Sequence, residues 1–354
     1  MLINFWYPLA RTVQLGDKPL KVRALRHDFV LFRDRGGTAH CLADICAHRN
    51  GSLSAGSVQD DCIQCPYHGW RYGGDGVCRR IPTLPEGADI PGGARVDAYP
   101  VDERYGLVFA FLGDLPAAER PPILAAPEWG AEGWTTVTME YLWRAHYERV
   151  MENGIDATHA EFSHADASAT AGSFQRGRDT QYVLTEPVGD WDGSYTIDSP
   201  QMTLIQGYSG AVQGWAHMNF SLGKERGDFR FYYYVTPIDE TACRRYLLHA
   251  RNFRHGEQMD AELIATNWKF EKEDRDLLES IRPVVPARDY GHDLLLPEEQ
   301  IMARYRKQLR EWEHNGWRID SHALDQLGAG RACVIPSPAR RNGGQWVLPE
   351  VPRL

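Results

Sequence analysis

Over the first hundred residues apolar positions recur in short alternating runs: Lys21–Leu25, Phe29–Arg33, Ala39–Leu42 and Gly106–Leu112. Turn-forming stretches such as Arg35-Gly36-Gly37 and Gly73-Gly74-Asp75-Gly76 separate them. Successive side chains on a strand point to opposite faces, so this rhythm predicts a small antiparallel β domain. Residues 85–93, rich in Pro and Gly, read as a surface loop. Residues 116–127 carry Pro116, Pro121, Pro122 and Pro127; chain this dense in proline is extended and unpaired, and reads as a linker. Beyond it, Thr136–Tyr141 alternates like a strand, and Leu142–Met151 reads as a helix that stops at Asn153-Gly154. Alternation over 180–253, as in Tyr195–Asp198, Met202–Gln206, Phe229–Pro237 and Arg245–Arg251, predicts a second antiparallel sheet. Its Phe231-Tyr232-Tyr233-Tyr234-Val235 run has the strongest strand propensity in the chain. A helix or helix pair follows over 257–282, with Leu263, Phe270, Leu277, Leu278 and Ile281 spaced for one buried side. Another spans 297–313, with Ile301, Tyr305 and Leu309 on one face. The tail from Gly330 holds Pro336, Pro338, Pro349 and Pro352 and reads as an ordered surface arm. The expected fold class is α+β, with one domain over 1–115, the linker over 116–127 and a second domain over 128–354.

Composition changes this picture little. A chain of 354 residues suits two cores better than one. The hydrophobic content of 43% is ample for both, and a net charge of −9 argues against a nucleic-acid partner. The start has no basic segment leading into an apolar run, and no stretch of 18 apolar residues occurs. A cytoplasmic location without a membrane span is therefore expected. Seven cysteines make an odd count for a disulfide framework, so those without a ligand role are expected to be reduced thiols.

The chemistry is concentrated in two places. Cys46-Ala47-His48 and Cys65-Pro66-Tyr67-His68 each supply one thiolate and one imidazole. A zinc finger would pair Cys with Cys and His with His. If both thiolates bind one iron and both imidazoles the other, the result is a Rieske [2Fe–2S] centre. Arg49, Asn50 and Gly51 follow the first cluster, and Gly69 and Trp70 the second. Gly and Asn accept the backbone conformations that aim loop N–H groups at sulfur. The second place is Asp156, His159 and His164, at the end of a helical pattern. Alone such a triplet is commonly solvated surface; beside the Cys/His motif it is a candidate metal site. Asp156 and His159 share a face if a helical turn resumes, while the five-residue step to His164 predicts an irregular break between the histidines.

On these residues the chain resembles the oxygenase α-subunit of the Rieske non-haem iron oxygenases, over nearly its whole length. The family's first motif is usually C-P-H-R-G; here Ala47 replaces Pro and Asn50 replaces Gly. Its iron motif N-x-x-D-x-x-H-x-x-x-x-H matches Asn153, Asp156, His159 and His164. The resemblance implies a [2Fe–2S] cluster on Cys46, His48, Cys65 and His68, and a mononuclear Fe(II) on His159 and His164. Such iron takes two histidines and one carboxylate. Among Glu271, Glu273, Asp274, Asp276 and Glu279, only Asp274 falls squarely in the apolar stripe, with Glu273 next. The family's carboxylate comes from this region too, which points to Asp274. The resemblance gives Asp156 the role of an electron bridge between cluster-bound His68 of one subunit and His159 of its neighbour, which implies a ring, expected to be a homotrimer.

No G-x-G-x-x-G fingerprint in a βαβ setting occurs. A separate reductase, carrying flavin and [2Fe–2S], or a ferredoxin must deliver electrons from NAD(P)H, with O₂ as co-substrate. The expected reaction is hydroxylation or O-/N-demethylation of a small aromatic or alicyclic molecule. The alternatives are arene cis-dihydroxylation, electron transfer without oxygenase activity, and a zinc-stabilised binding module. In the resembling family a helix-flanked sheet of this kind walls the substrate pocket, which implies Met202, Leu204, Trp215, Met218 and Phe220 as candidate pocket residues.

Overall fold

The computed structural model describes residues 1–85, 87–156, 158–164, 181–185, 191–198, 202–222, 225–291, 293–296 and 299–354. The chain forms two compact units, one of Met1–Pro122 with Trp312–Leu354, the other of Ile123–Glu311.

The first unit contains three antiparallel sheets. Leu107–Leu112, apolar at nearly every position, is wholly buried between Phe5–Arg11 and Val101–Arg104. A second sheet orders Leu20–Ala24, His27–Arg33, Ala39–Ala43 and Ala98–Tyr99. A third orders Ser57–Gln59, Cys62–Gln64, Arg71–Tyr72 and Cys78–Arg80. Val30, Phe32, Leu42, Ile63 and Tyr72 pack into one core that also contains Cys46 and Cys65.

The tail differs from the expected division. Residues 312–354 belong to this first unit and not to a domain over 128–354. Val334, Ile335 and Val351 are buried, and Ile335 accepts a hydrogen bond from the Tyr99 hydroxyl. Arg340 grips the buried Asp97 through Nε and Nη2, at 2.7 and 2.8 Å. A buried carboxylate needs such a partner, and here the far end of the sequence supplies it.

The second unit is built on a seven-stranded antiparallel sheet. Gln181–Thr185, Asp192–Asp198, Met202–Ser209, Gln213–Leu222, Glu225–Pro237 and Cys243–Arg251 follow one another as a meander, and Thr135–Trp143 closes the edge beside Cys243–Arg251. Three helices pack on one face: α1 (Tyr147–Ile155), α3 (Glu257–Leu278) and α4 (Gln300–His314). Between the first two lies the single turn α2 (Ala160–Ser163); α5 (Ser321–Leu327) belongs to the first unit.

Two local expectations are corrected. The strand runs on to Trp143, and α1 starts only at Tyr147, where the His146 side chain accepts the Glu148 N–H. Gly154 lies inside α1 and does not end it; a Cβ there would meet the Tyr233 ring at 2.5 Å. Gly214 faces the same ring from the sheet. The two glycines let helix and sheet close on one tyrosine.

Candidate active site

Each Cys/His motif forms a loop of the same backbone design. In the first, Asn50 N–H donates to Cys46 O at 2.9 Å and Cys46 N–H to Gly51 O at 2.9 Å. In the second, Gly69 N–H donates to Cys65 O at 3.0 Å and Cys65 N–H to Trp70 O at 2.8 Å. The fifth residue of each loop takes a positive φ, 59° for Asn50 and 71° for Gly69. Asn tolerates that region better than other side chains, so the departure from Gly leaves the turn intact. Cys46 and Cys65 are buried on the core side, with His48 and His68 toward the surface, their rings 4.4 Å apart. Trp70 stacks on His48 at 4.7 Å and 3°. Gly51 leaves room beside the Cys65 sulfur, which a Cβ there would approach to 3.4 Å. Burial pushes the Cys46 thiol up, while the Tyr72 hydroxyl and the His48 N–H directed at its sulfur oppose that. Two sulfurs inside, two imidazoles outside and an N–H turned toward sulfur fit the donor set of a Rieske cluster. None of the seven cysteines is paired in a disulfide.

In the second unit, His159, His164 and Asp274 offer ligand atoms that all lie within 4.8 Å of one another. The Nε2 atoms of His159 and His164 stand 3.5 and 3.3 Å from Asp274 Oδ1. That oxygen is buried and, among the described residues, has no hydrogen-bond partner of good geometry. A buried carboxylate oxygen left unsatisfied between two imidazole nitrogens is the arrangement a cation would complete. The other nitrogen of each ring faces a second carboxylate. His159 Nδ1 is 3.5 Å from Asp156 Oδ2, and His164 Nδ1 is 2.9 Å from Glu273 Oε2. Such outer carboxylates fix ring orientation and basicity at metal sites. Asn153 Nδ2 lies 3.3 Å from His159 Nε2.

The break expected between the two histidines falls elsewhere. His159 and His164 cap the two ends of α2, with Ser163 N–H donating to His159 O and His164 N–H to Ala160 O. That turn brings the rings to 5.5 Å. Burial works to raise the Asp274 carboxyl, but His164, His159 and Arg245 outweigh it and hold the group below the usual carboxylate range. Burial likewise opposes ionisation of Asp156, where the adjoining His159 and Thr158 prevail and lower it.

The buried side of α3 carries Leu263, Asn267, Glu271 and Asp274; Leu277, expected there, is half exposed. Three further contacts run along the neighbouring strand Cys243–Arg251. Arg251 pairs with Asp260 at 2.5 Å, His249 meets Asn267, and Arg245 pairs with Glu271 at 2.9 Å. Helix and strand are thus joined by a polar ladder whose next rung is Asp274. Asn267 and Glu271 are buried because each has a partner on the strand, which apolar periodicity does not register.

Strand register sorts the candidate pocket residues. Leu204 and Met218 are cross-strand partners, and Met218 pairs with Phe229, on the face that carries Phe231 and His249. Trp215 pairs with Gly207 and Tyr232, so it lies on the opposite face, its ring tilted against His217 at 4.7 Å. Met202 and Phe220 pair in the same register as Leu204 and Met218, but their side chains lie outside the described residues. The residue that sequence reasoning missed is His249. It is buried against Phe231 and Phe229, with ring centroids 4.0 and 4.9 Å away. Asn267 Nδ2 donates to Leu263 O, which fixes the amide orientation, and it lies 2.9 Å from His249 Nδ1. The proton of the neutral ring therefore sits on Nε2, a buried atom without a partner among the described residues.

Two families match the chain: the Rieske [2Fe-2S] domain over residues 5–100 and the vanillate O-demethylase oxygenase C-terminal domain over residues 143–315. The chain belongs to the Rieske non-haem iron oxygenases. Like other Rieske oxygenases it pairs an iron–sulfur domain with a catalytic domain for mononuclear iron. It is similar to methylxanthine N1-demethylase NdmA of Pseudomonas putida, 27% identical over 88% of this chain and 89% of that protein. A solved structure of that demethylase covers 88% of this chain and 91% of its own, at 25% identity and a TM-score of 0.74. Dicamba monooxygenase bound to dicamba shares the fold, with a TM-score of 0.71 at 22% identity over 89% of this chain and 98% of that one. Phenoxybenzoate dioxygenase subunit alpha of Ectopseudomonas oleovorans is 44% identical, over 35% of this chain and 29% of that subunit. Several curated relatives are thus matched over less than half of their own length. Among the described residues no helix is long and apolar enough to cross a membrane.

Proposed function

We propose that this Rieske oxygenase monooxygenates a small organic substrate, by hydroxylation or by removal of an O- or N-methyl group. The observation that carries the reading is the convergence of His159, His164 and Asp274 with one buried oxygen unsatisfied. In this reading Cys46, His48, Cys65 and His68 hold a [2Fe–2S] cluster, and His159, His164 and Asp274 hold Fe(II). When bound, the cluster supplies electrons singly and the iron supplies the site at which O₂ is reduced. Asp156 orients His159 and carries the hydrogen-bonded path to His68 of a neighbouring subunit in a homotrimer. Glu273 keeps His164 in one tautomer. Electrons come from NAD(P)H through a separate reductase or ferredoxin.

The face built by Leu204, Met218, Phe229 and Phe231 is apolar, so it suits an aromatic or alicyclic body. His249 Nε2–H is a buried ring donor on that face without a partner among the described residues. It suits a substrate with a carbonyl, ether or carboxylate oxygen, since leaving that donor unmet is costly. Two comparisons favour demethylation or monooxygenation: the whole-length match to an N-demethylase and the match to the O-demethylase C-terminal domain. Arene cis-dihydroxylation is the second reading, favoured by the higher local identity to a dioxygenase subunit. An electron carrier or a zinc-stabilised binding module would have no use for the second, buried His/His/Asp site.

The test is product mass. Purified protein is reconstituted with a surrogate reductase and NADH and offered methoxy, N-methyl, aromatic and alicyclic compounds. Gain of one oxygen, or loss of a methylene with formaldehyde, supports the proposal; gain of two hydroxyls moves it to the second reading.

A further inference from the structure

His249 and Arg251 lie two residues apart on the strand Cys243–Arg251, opposite Phe231 and Phe229, and so share one face of the sheet. Both are buried, and among the described residues His249 Nε2 and Arg251 Nη1 have no hydrogen-bond partner. Asn267, which holds His249 from α3, stands seven residues before Asp274. Seven residues make two helical turns, about 10 Å, and return to the same side of the helix. The unmet imidazole N–H is therefore set off from Asp274 by a span that one ring with a substituent at each end can bridge. The charges around it are already matched. Asp260 is 2.5 Å from Arg251, and Glu271 is 2.9 Å from Arg245. Asp274, Asp156 and Glu273 face His159 and His164. The His249 ring is neutral because Nδ1 accepts from Asn267 Nδ2, and burial and the Arg251 charge both oppose its protonation. Among the described residues this face lacks acceptor oxygens, not negative charge. A carboxylate buried without a counter-charge costs far more than a carbonyl oxygen that receives a hydrogen bond.

We propose that His249 is a specificity-determining residue: it donates Nε2–H to the carbonyl oxygen of a neutral, ring-sized substrate such as an aryl ketone or amide, and the site discriminates against carboxylic acids of the same shape. The inference rests on the monooxygenase reading and narrows the acceptors allowed there to one, the neutral carbonyl. Asn267 keeps the ring in the donating tautomer, and Phe229 and Phe231 cover the apolar body of the substrate.

The experiment uses three probes with a methoxy group para to the variable end: 4-methoxyacetophenone, 4-methoxybenzoate and 4-isopropylanisole. Dissociation constants are measured calorimetrically on the anaerobic holoenzyme, wild type and His249→Phe, and product masses are then taken with reductase and NADH. Wild type should bind the ketone about tenfold more tightly than the hydrocarbon, and the acid no better than the hydrocarbon. His249→Phe keeps a ring but no donor, and should bind ketone and hydrocarbon alike. A merely structural role for His249 would weaken all three probes equally, which overturns the proposal. Equal binding of ketone and hydrocarbon by the wild type, tightest binding of the acid, or binding of none of the three overturns it too. Should the variant fail to fold, the wild-type ranking decides alone by the same outcomes. Binding is read before turnover, so a ketone preference without oxidised product leaves the subsite standing and overturns the monooxygenase reading. Equal binding of all three, followed by their oxidation, does the reverse.

Discussion

At the scale of single residues, the decisive group is Asp274. Its position within the stripe of a helix made it visible in the sequence, because a carboxylate there must be paired or metal-bound. Replacing it with Ala should leave the cluster spectrum unchanged and reduce iron from three per chain toward the two of the cluster; metal analysis beside the spectrum checks this. His249 had no comparable signal. A lone histidine on an alternating strand reads as ordinary core, and only the folded sheet reveals an unmet nitrogen. Its protonation gives a pH test. Burial penalises its charged form, with Asn267 opposing and Arg251 adding, so in the fold it titrates at about 3, against 6.5 for an ordinary imidazole. Between those values the unfolded chain holds the proton and the folded chain does not. The stability due to the neutral ring is complete above 6.5 and is lost as the pH falls. From pH 7 to pH 5 the wild type should lose about 2 kcal/mol more than His249→Gln, read from urea unfolding at both values.

At the scale of elements, most strands were legible from alternation, since one face of each meets the core. The start of α1 and the role of Gly154 were not. The strand before α1 continues its alternation into the stretch that looks helical, and Gly154 answers to a ring from a distant strand. The buried face of α3 was only half legible, because Asn267 and Glu271 are polar and are explained by His249 and Arg245 across the gap. The Arg245–Glu271 pair, almost wholly shielded, has a particular energetic signature. Glu271→Ala leaves a buried guanidinium unpaired and should destabilise the second unit by about 3–5 kcal/mol. Replacing both by Met and Leu should restore most of that, because the lost attraction is offset by the desolvation no longer required. Denaturant midpoints for the single and double variants distinguish the two effects.

At the scale of the whole molecule, sequence pattern separates two domains but places the tail on the wrong side of the division. Proline-rich chain has no periodicity, and the pairing of Arg340 with Asp97 joins residues too distant in sequence to be anticipated. Assembly is a prediction at this scale. Subunits with a dead cluster, Cys65→Ala, mixed with subunits lacking iron, His159→Ala, should recover part of the activity when co-assembled, and none when kept apart. No recovery in verified mixed trimers would count against transfer between neighbours. The paired Cys/His loops have a consequence of another kind. Each is closed by its own main-chain bonds and by a residue suited to a left-handed turn. Closure through the main chain asks nothing of the side chains of Ala47, Arg49, Pro66 and Tyr67, so the outline of the loops should tolerate substitution there and suffer when Asn50 or Gly69 is replaced by a β-branched residue.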